Sequence, residues 1–215
     1  MGEITLVRHG QANSAAKTEA DYDRLTELGH EQARLLGQWM AEHDGAFDTV
    51  MAGSLRRQQE TAAQLGFGDV ITDPRLNEIA YYDLTDEMDR LPDMPPRNSP
   101  GDFAVHFPAT LSAWRDGRIA GAEPYGDFVE RVAGVIALAA QPGRRVLCVT
   151  SGGIIAQAVS GILKLDIPQM AQLALPIFNT SVHRIVVTDH GPILGSFNAT
   201  PHLDHPDRQA IRTHY

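Results

Sequence analysis

Cysteine is all but missing from this chain: Cys148 is the only one in 215 residues. It sits in the apolar run Val146-Leu147-Cys148-Val149, which reads as a buried strand, so its thiol is expected to be inert packing and neither a nucleophile nor a ligand. Lysine is nearly as scarce. Lys17 and Lys164 stand alone, and the positive charge comes almost wholly from arginine, which reads as coding bias. Cations are also outnumbered, since 18 lysines and arginines against 27 aspartates and glutamates give a net charge of −9. That balance argues against nucleic acid or an anionic membrane as the main partner, although a local group of arginines can still hold an anion. No apolar run approaches the roughly 18 residues of a membrane span. Met1-Gly2-Glu3 leads straight into a strand-like segment with neither a basic n-region nor an apolar h-region, so no secretory signal is visible and a reducing cytoplasm is the expected setting. Internal repeats, low-complexity tracts and Walker-type phosphate loops are lacking as well.

What the chain does have is a hydrophobic content of 43%, enough for one α/β domain over residues 1–215 with a sizeable core and at most a cap. Its start organises the rest. Ile4-Thr5-Leu6-Val7 runs into Arg8-His9-Gly10-Gln11, so a buried strand is expected to end by presenting a cation and an imidazole on a tight turn. In open α/β proteins that edge, the carboxyl end of a parallel sheet, is where ligands bind.

Downstream, Thr26 reads as the N-cap of a helix carrying Leu28, Leu35, Leu36, Trp39 and Met40 on one face and ending near Gly45. Residues 47–52 read as a second strand, and Ser54 as the cap of a helix through Thr61, Ala62 and Leu65. Arg57 falls in that helix's first turn, where a guanidinium can reach an anion that the helix N-terminus attracts. Arg56 beside it reads as a surface charge. Residues 83–124 lack clean periodicity and hold Pro92, Pro95, Pro96 and Pro100, with Phe103, Phe107, Leu111 and Trp114 spaced for a short amphipathic helix. That helix could supply an apolar wall, with plain packing the readier role for any one aromatic; Tyr81 and Tyr82 could face the same pocket but are not counted among the site residues. Phe128, Val132, Val135, Ile136 and Ala139 mark a strong helix. A strand over Arg145–Thr150 follows, then the turn Ser151-Gly152-Gly153 and a helix with Ile155, Val159, Ile162 and Leu163 inward. Residues 182–187 and 193–197 read as a hairpin turned by Asp189-His190-Gly191-Pro192. His202, Asp204, His205 and Asp207 lack a recognised ligand spacing, so no metal site is expected there.

The run LVRHGQ at residues 6–11 resembles the signature of the histidine phosphatase superfamily, the group of phosphoglycerate mutases and many small phosphomonoesterases, and the likeness extends over nearly the whole chain. It implies a three-layer α/β/α sandwich around a mostly parallel sheet, with a cap insertion at about 79–124 that sets substrate choice. It also implies chemistry. Imidazole, with an ordinary pKa near 6.5, is largely unprotonated at neutral pH, so His9 can attack phosphorus without a metal or any other cofactor. Arg8 would meet the phosphoryl oxygens with paired hydrogen bonds. Gly10 tolerates φ > 0 and close approach, so its N–H could bind the anion. Gln11 is a candidate amide contact, with an ordinary loop residue as the even alternative. Arg57, four residues before Thr61-Ala62, matches the spacing of a second phosphate-clamping arginine. Glu78, in Leu76-Asn77-Glu78, matches the acid/base position, with Asp83 and Asp86 as fallbacks.

One departure stands out. The superfamily carries a second histidine before Gly-Gly at the turn where this chain has Ser151. A serine hydroxyl can still donate, as can the N–H groups of Gly152 and Gly153, and His183 or His202 could move in as a replacement. The expectation is a metal-independent phosphomonoesterase working through a phosphohistidine on a small phosphorylated metabolite. A weakened or inactive relative that binds a phosphorylated metabolite or protein ranks second, and mutase-type transfer third. Members of the family are often dimers.

Overall fold

A computed structural model describes residues 1–13, 16, 18–95 and 102–214. Lys17, Pro96 and Pro100 lie outside the described residues. Six strands form one sheet: β1 (Gly2–Arg8), β2 (Thr49–Ala52), β3 (Val70–Thr72), β4 (Arg145–Thr150), β5 (Val182–Thr188) and β6 (Gly191–Ala199), in the order β3-β2-β4-β1-β5-β6. β3, β2, β4 and β1 run parallel, with Arg8 opposite Thr150; β5 and β6 add an antiparallel edge. The fold is thus the mixed α/β sandwich that the alternation of strand and helix patterns implies.

Side chains alternate across each strand, and this divides the core in two. Ile4, Leu6, Val146 and Cys148 face one layer, made by α4 (Tyr81–Met88), α5 (Phe103–Arg115), α6 (Tyr125–Ala139), α7 (Gly152–Leu163) and α8 (Ile167–Ala174). Val7, Leu147 and Val149 face the other, made by α2 (Glu27–His43) and α3 (Arg56–Leu65). A short helix, α1 (Glu19–Tyr22), precedes α2. Cys148 is fully buried, and burial pushes its thiol up to about 12, so it stays protonated packing.

Strong local signals place their elements well. Thr26 caps α2 by accepting from the N–H of Gly29, and the buried face of α6 is Phe128, Val132, Val135, Ile136 and Ala139. Three expectations need correction. The cap residue of α3 is Leu55, not Ser54, and no side chain of its own segment caps it. Ser54 instead pairs with Asn77 through Ser54 N to Oδ1 (2.7 Å) and Nδ2 to Ser54 Oγ (2.8 Å). On α7, Ile155 and Val159 are buried but Leu163, the last residue before the left-handed cap Lys164, is 45% exposed. Residues 83–88, within the stretch expected to lack regular structure, belong to α4, whose Leu84 and Met88 are sealed in the core.

β1 and β4 are neighbours, yet their chains leave toward opposite layers: β1 to α2, β4 to α7. Such a reversal opens a crevice at the carboxyl ends of the two strands. Residues 9–11 and 151–153 meet there.

Candidate active site

His9 follows β1 directly and its N–H bonds to Thr150 O (2.9 Å), so the nucleophile candidate is pinned to the neighbouring strand end. Its ring is 2% exposed. Nδ1 lies 2.7 Å from Gly10 O, which can only accept, so Nδ1 carries the proton and Nε2 keeps the lone pair. Burial first, then the charges of Arg57 and Arg8, hold the imidazole well below its usual pKa, so it is neutral at physiological pH.

Arg8 and Arg57 approach from two elements. Arg8 closes β1; its Nη1 donates to Ile177 O and to His214 O (2.7 Å), while its buried Nε makes no hydrogen bond among the described residues. Arg57 is 1% exposed in the first turn of α3. Asp23 holds it from outside the helix: Oδ1 accepts from Arg57 N and from Arg57 Nη1, both at 3.1 Å, and Oδ2 from Arg56 N at 3.0 Å. This carboxylate supplies the cap that α3 lacks in its own sequence. The Arg57 guanidinium also lies over the Tyr22 ring, 4.8 Å from its centre, and Tyr22 stands edge-on to His9 at 6.2 Å.

Glu78 reaches the same crevice from the loop after β3. Its Oε2 accepts from Gly153 N (2.9 Å) and its Oε1 from Ile79 N (3.1 Å). A Cβ at Gly153 would overlap Glu78 Oε1, so any larger residue there would push that carboxyl group from its place. The loop itself is clamped: Thr150 Oγ1 and Gln58 Nε2 both donate to Leu76 O, and Arg131 Nη1 donates to Asn77 O (2.9 Å). Asp83 and Asp86 are exposed on α4 and face away.

These groups line a cavity of about 370 Å³. Arg8, His9, Arg57, Glu78, Gly152 and Gly153 form its polar floor. Tyr81, Tyr82, Phe103 and Phe107 form a wall in which Tyr81 lies 5.9 Å from Phe103 and 5.4 Å from Phe107. The apolar wall, the lesser expectation for these aromatics, is thus present beside their packing role.

Several sequence-derived positions are not brought to the cavity. The Gly10 N–H is donated to Thr61 Oγ1 (3.0 Å), and Gly10 has no positive φ; its glycine is needed because a Cβ would strike the backbone of Gly29. The Gln11 amide oxygen accepts from Thr26 Oγ1 (2.8 Å). Ser151 is fully buried, with Oγ accepting from Gln58 Nε2 (2.8 Å). His183 and His202 are no substitutes either. Nδ1 of His183 accepts from Asn198 N (3.1 Å) while Nε2 contacts Ser181 Oγ; Nε2 of His202 lies 2.9 Å from Thr180 Oγ1. Burial lowers both to a pKa of about 3, so each is a neutral, structural imidazole. Asp204 pairs with Arg212 and His205 lies 3.5 Å from Asp207; among the described residues no three His, Cys, Asp or Glu gather as a metal cluster. The residue that sequence reasoning missed is His214, which does line the cavity. Nothing in its polar surroundings signalled it.

With this geometry in hand, the chain belongs to the histidine phosphatase superfamily (branch 1), whose family model it matches over residues 4–200. It is 32% identical over 205 residues to the probable phosphoglycerate mutase GpmB of Cronobacter sakazakii, covering 86% of this chain and 85% of that one. It is 35% identical over 91 residues to the 2,3-bisphosphoglycerate-dependent phosphoglycerate mutase of Methylorubrum extorquens (strain PA1), a match that spans only 43% of that relative. Among solved structures it resembles a mycobacterial glucosyl-3-phosphoglycerate phosphatase in complex with VO3, with TM-score 0.63 and 25% identity over 92% of this chain and 98% of that one. No helix among the described residues is long and apolar enough to cross a membrane.

Proposed function

We propose that the protein is a phosphomonoesterase acting through a phosphohistidine at His9, with neither metal nor other cofactor, on a small phosphorylated metabolite. The observation that carries this reading is the neutral His9 ring, its Nδ1–H spent on Gly10 O, set beside two guanidiniums. In the first step Nε2 attacks phosphorus, the ester oxygen leaves, and the Glu78 carboxyl group gives it a proton. In the second, Glu78 takes a proton from water as that water attacks the phosphohistidine, which releases inorganic phosphate and restores His9. Arg8, through its buried Nε, and Arg57 meet the charge on the equatorial oxygens.

The cavity wall supports hydrolysis over mutase transfer. Beyond the floor, the lining is mostly apolar and aromatic, with Ile79, Tyr81, Tyr82, Phe103, Phe107 and Leu175 beside Tyr22, Thr85 and His214, and among the described residues it adds no further arginine or lysine to clamp the second charged end of a carboxylated bisphosphate. A phosphoester with an apolar or aromatic organic group suits it better. One observation favours a second reading, a binder of phosphorylated ligands with little turnover: Ser151 replaces the second histidine and its hydroxyl oxygen is engaged by Gln58.

The test is turnover of a generic aryl phosphate, with and without EDTA, beside His9→Ala. Turnover that ignores EDTA, vanishes in His9→Ala, and leaves an acid-labile phosphoryl group on rapidly quenched wild type is the expected result. Phosphate binding without turnover of any substrate would leave the binder.

A further inference from the structure

The site has a second imidazole, and it comes from the far side of the chain. We propose that His214 serves as the second histidine of this active site, donating a ring N–H to the phosphoryl group in the role that Ser151 does not fill. This rests on the phosphoryl-transfer reading above.

Three observations carry it. His214 lines the same cavity as His9, Arg8, Arg57 and Glu78, whereas Ser151, His183 and His202 do not. Its backbone is held by the anion-clamping arginine itself, since Arg8 Nη1 donates to His214 O at 2.7 Å. Most tellingly, the segment before it is built into the frame that fixes the nucleophile. The fully buried Gln32 accepts from Gln11 N (2.9 Å) through Oε1, and through Nε2 it donates to Ile211 O (2.6 Å) and Thr213 Oγ1 (2.9 Å). Asn179 repeats the linkage: its Nδ2 donates to His9 O (3.2 Å), its N–H to Thr213 O (2.7 Å), and its Oδ1 accepts from Thr213 Oγ1 (2.8 Å). Two buried amides thus tie residues 9–11 to residues 211–213 from opposite sides. Phe178 braces the ring of His214 edge-on at 5.7 Å, and Arg212 lies over that same phenyl ring.

A side chain that merely covered the cavity would need none of this. Placement of an imidazole near a developing oxyanion requires that its backbone not drift relative to the nucleophile, and the shared amides provide that constraint. Ser151, by contrast, does not line the cavity: it is fully buried at the start of α7, where its Oγ accepts from Gln58 Nε2.

The experiment compares wild type, His214→Ala and His214→Gln, measuring aryl phosphate kinetics and the affinity for vanadate, an oxyanion that mimics the five-coordinate transition state of phosphoryl transfer. Loss of one such donor lowers kcat on the order of 100-fold. His214→Ala is therefore expected to show that drop with KM changed only a few-fold, and to bind vanadate correspondingly more weakly. His214→Gln, which keeps an N–H donor, recovers part of both. Wild-type kcat and vanadate affinity in His214→Ala overturn the proposal. If His214→Ala proves unfolded by its melting curve, the same comparison is read from His214→Gln against His214→Leu. Should the wild type turn over no substrate, the phosphatase reading fails, and vanadate affinity alone still decides the role of His214.

Discussion

Asp23 illustrates how much one carboxylate does. It caps α3 by accepting the Arg56 N–H on Oδ2 and the Arg57 N–H on Oδ1, and Oδ1 also holds the Arg57 guanidinium. Asp23→Ala is expected to lower stability by about 1 kcal/mol, the usual effect of removing a cap, and to reduce kcat/KM because Arg57 loses its fixed position. Asp23→Asn keeps an acceptor oxygen and should recover most of the stability. Urea midpoints separate the two; equal losses in both variants would mean that charge, and not the cap geometry, is what matters. Gly10 makes a different point. Its residue type is dictated by contact with Gly29, and the sequence motif alone suggested a ligand contact.

Among elements, the turn from β4 into α7 and the loop after β3 form a single unit, joined by Glu78 and Gly153. Gly153→Ala puts a methyl group where the carboxyl group lies. Displacing a general acid costs roughly 100-fold or more in rate, so kcat should fall at least that far while vanadate affinity stays within a few-fold. Unchanged kcat would remove Glu78 from the acid/base role. The loop's other ties, Arg131 from α6 and Thr150 from β4, show how Glu78 can sit on irregular backbone and still be held in place. The helices that follow behave likewise: α4 and α5 are anchored in the core by Leu84, Met88, Leu111 and Trp114, while Tyr81, Tyr82, Thr85, Phe103 and Phe107 face the crevice.

For the whole molecule, the consequence is acid sensitivity. His9, His183 and His202 are all buried in neutral form, with pKa values depressed in the fold. Above about pH 6.5 each is neutral whether folded or unfolded, so none penalises folding. Below that, the unfolded chain takes up protons that the folded one refuses, and each such group removes about 1.4 kcal/mol per pH unit until its folded pKa is reached. For His183 and His202 that window runs down to about pH 3. Melting temperature should be level from pH 8 to 7 and fall steeply below 6, and a His183→Gln variant should fall less steeply over the same range. A flat profile between pH 7 and 5 would contradict the burial.

Local spacing was enough to determine a good part of this protein. Hydrophobic period marks α6 residue by residue, Thr26 announces α2, and the run into Arg8-His9 identifies both the organising strand and the nucleophile candidate, because each of these depends on neighbours within a turn or two of chain. Arg57 and Glu78 were also legible, through motif spacing. The tertiary structure alone decided which polar groups face the crevice. Ser151 was drawn off by Gln58, 93 positions away, and His214 was brought to Arg8 from 206 positions away. Such partners are chosen by the packing of distant elements, where the cost of leaving a buried polar group unmatched outweighs any local preference, and no period in the sequence records that choice.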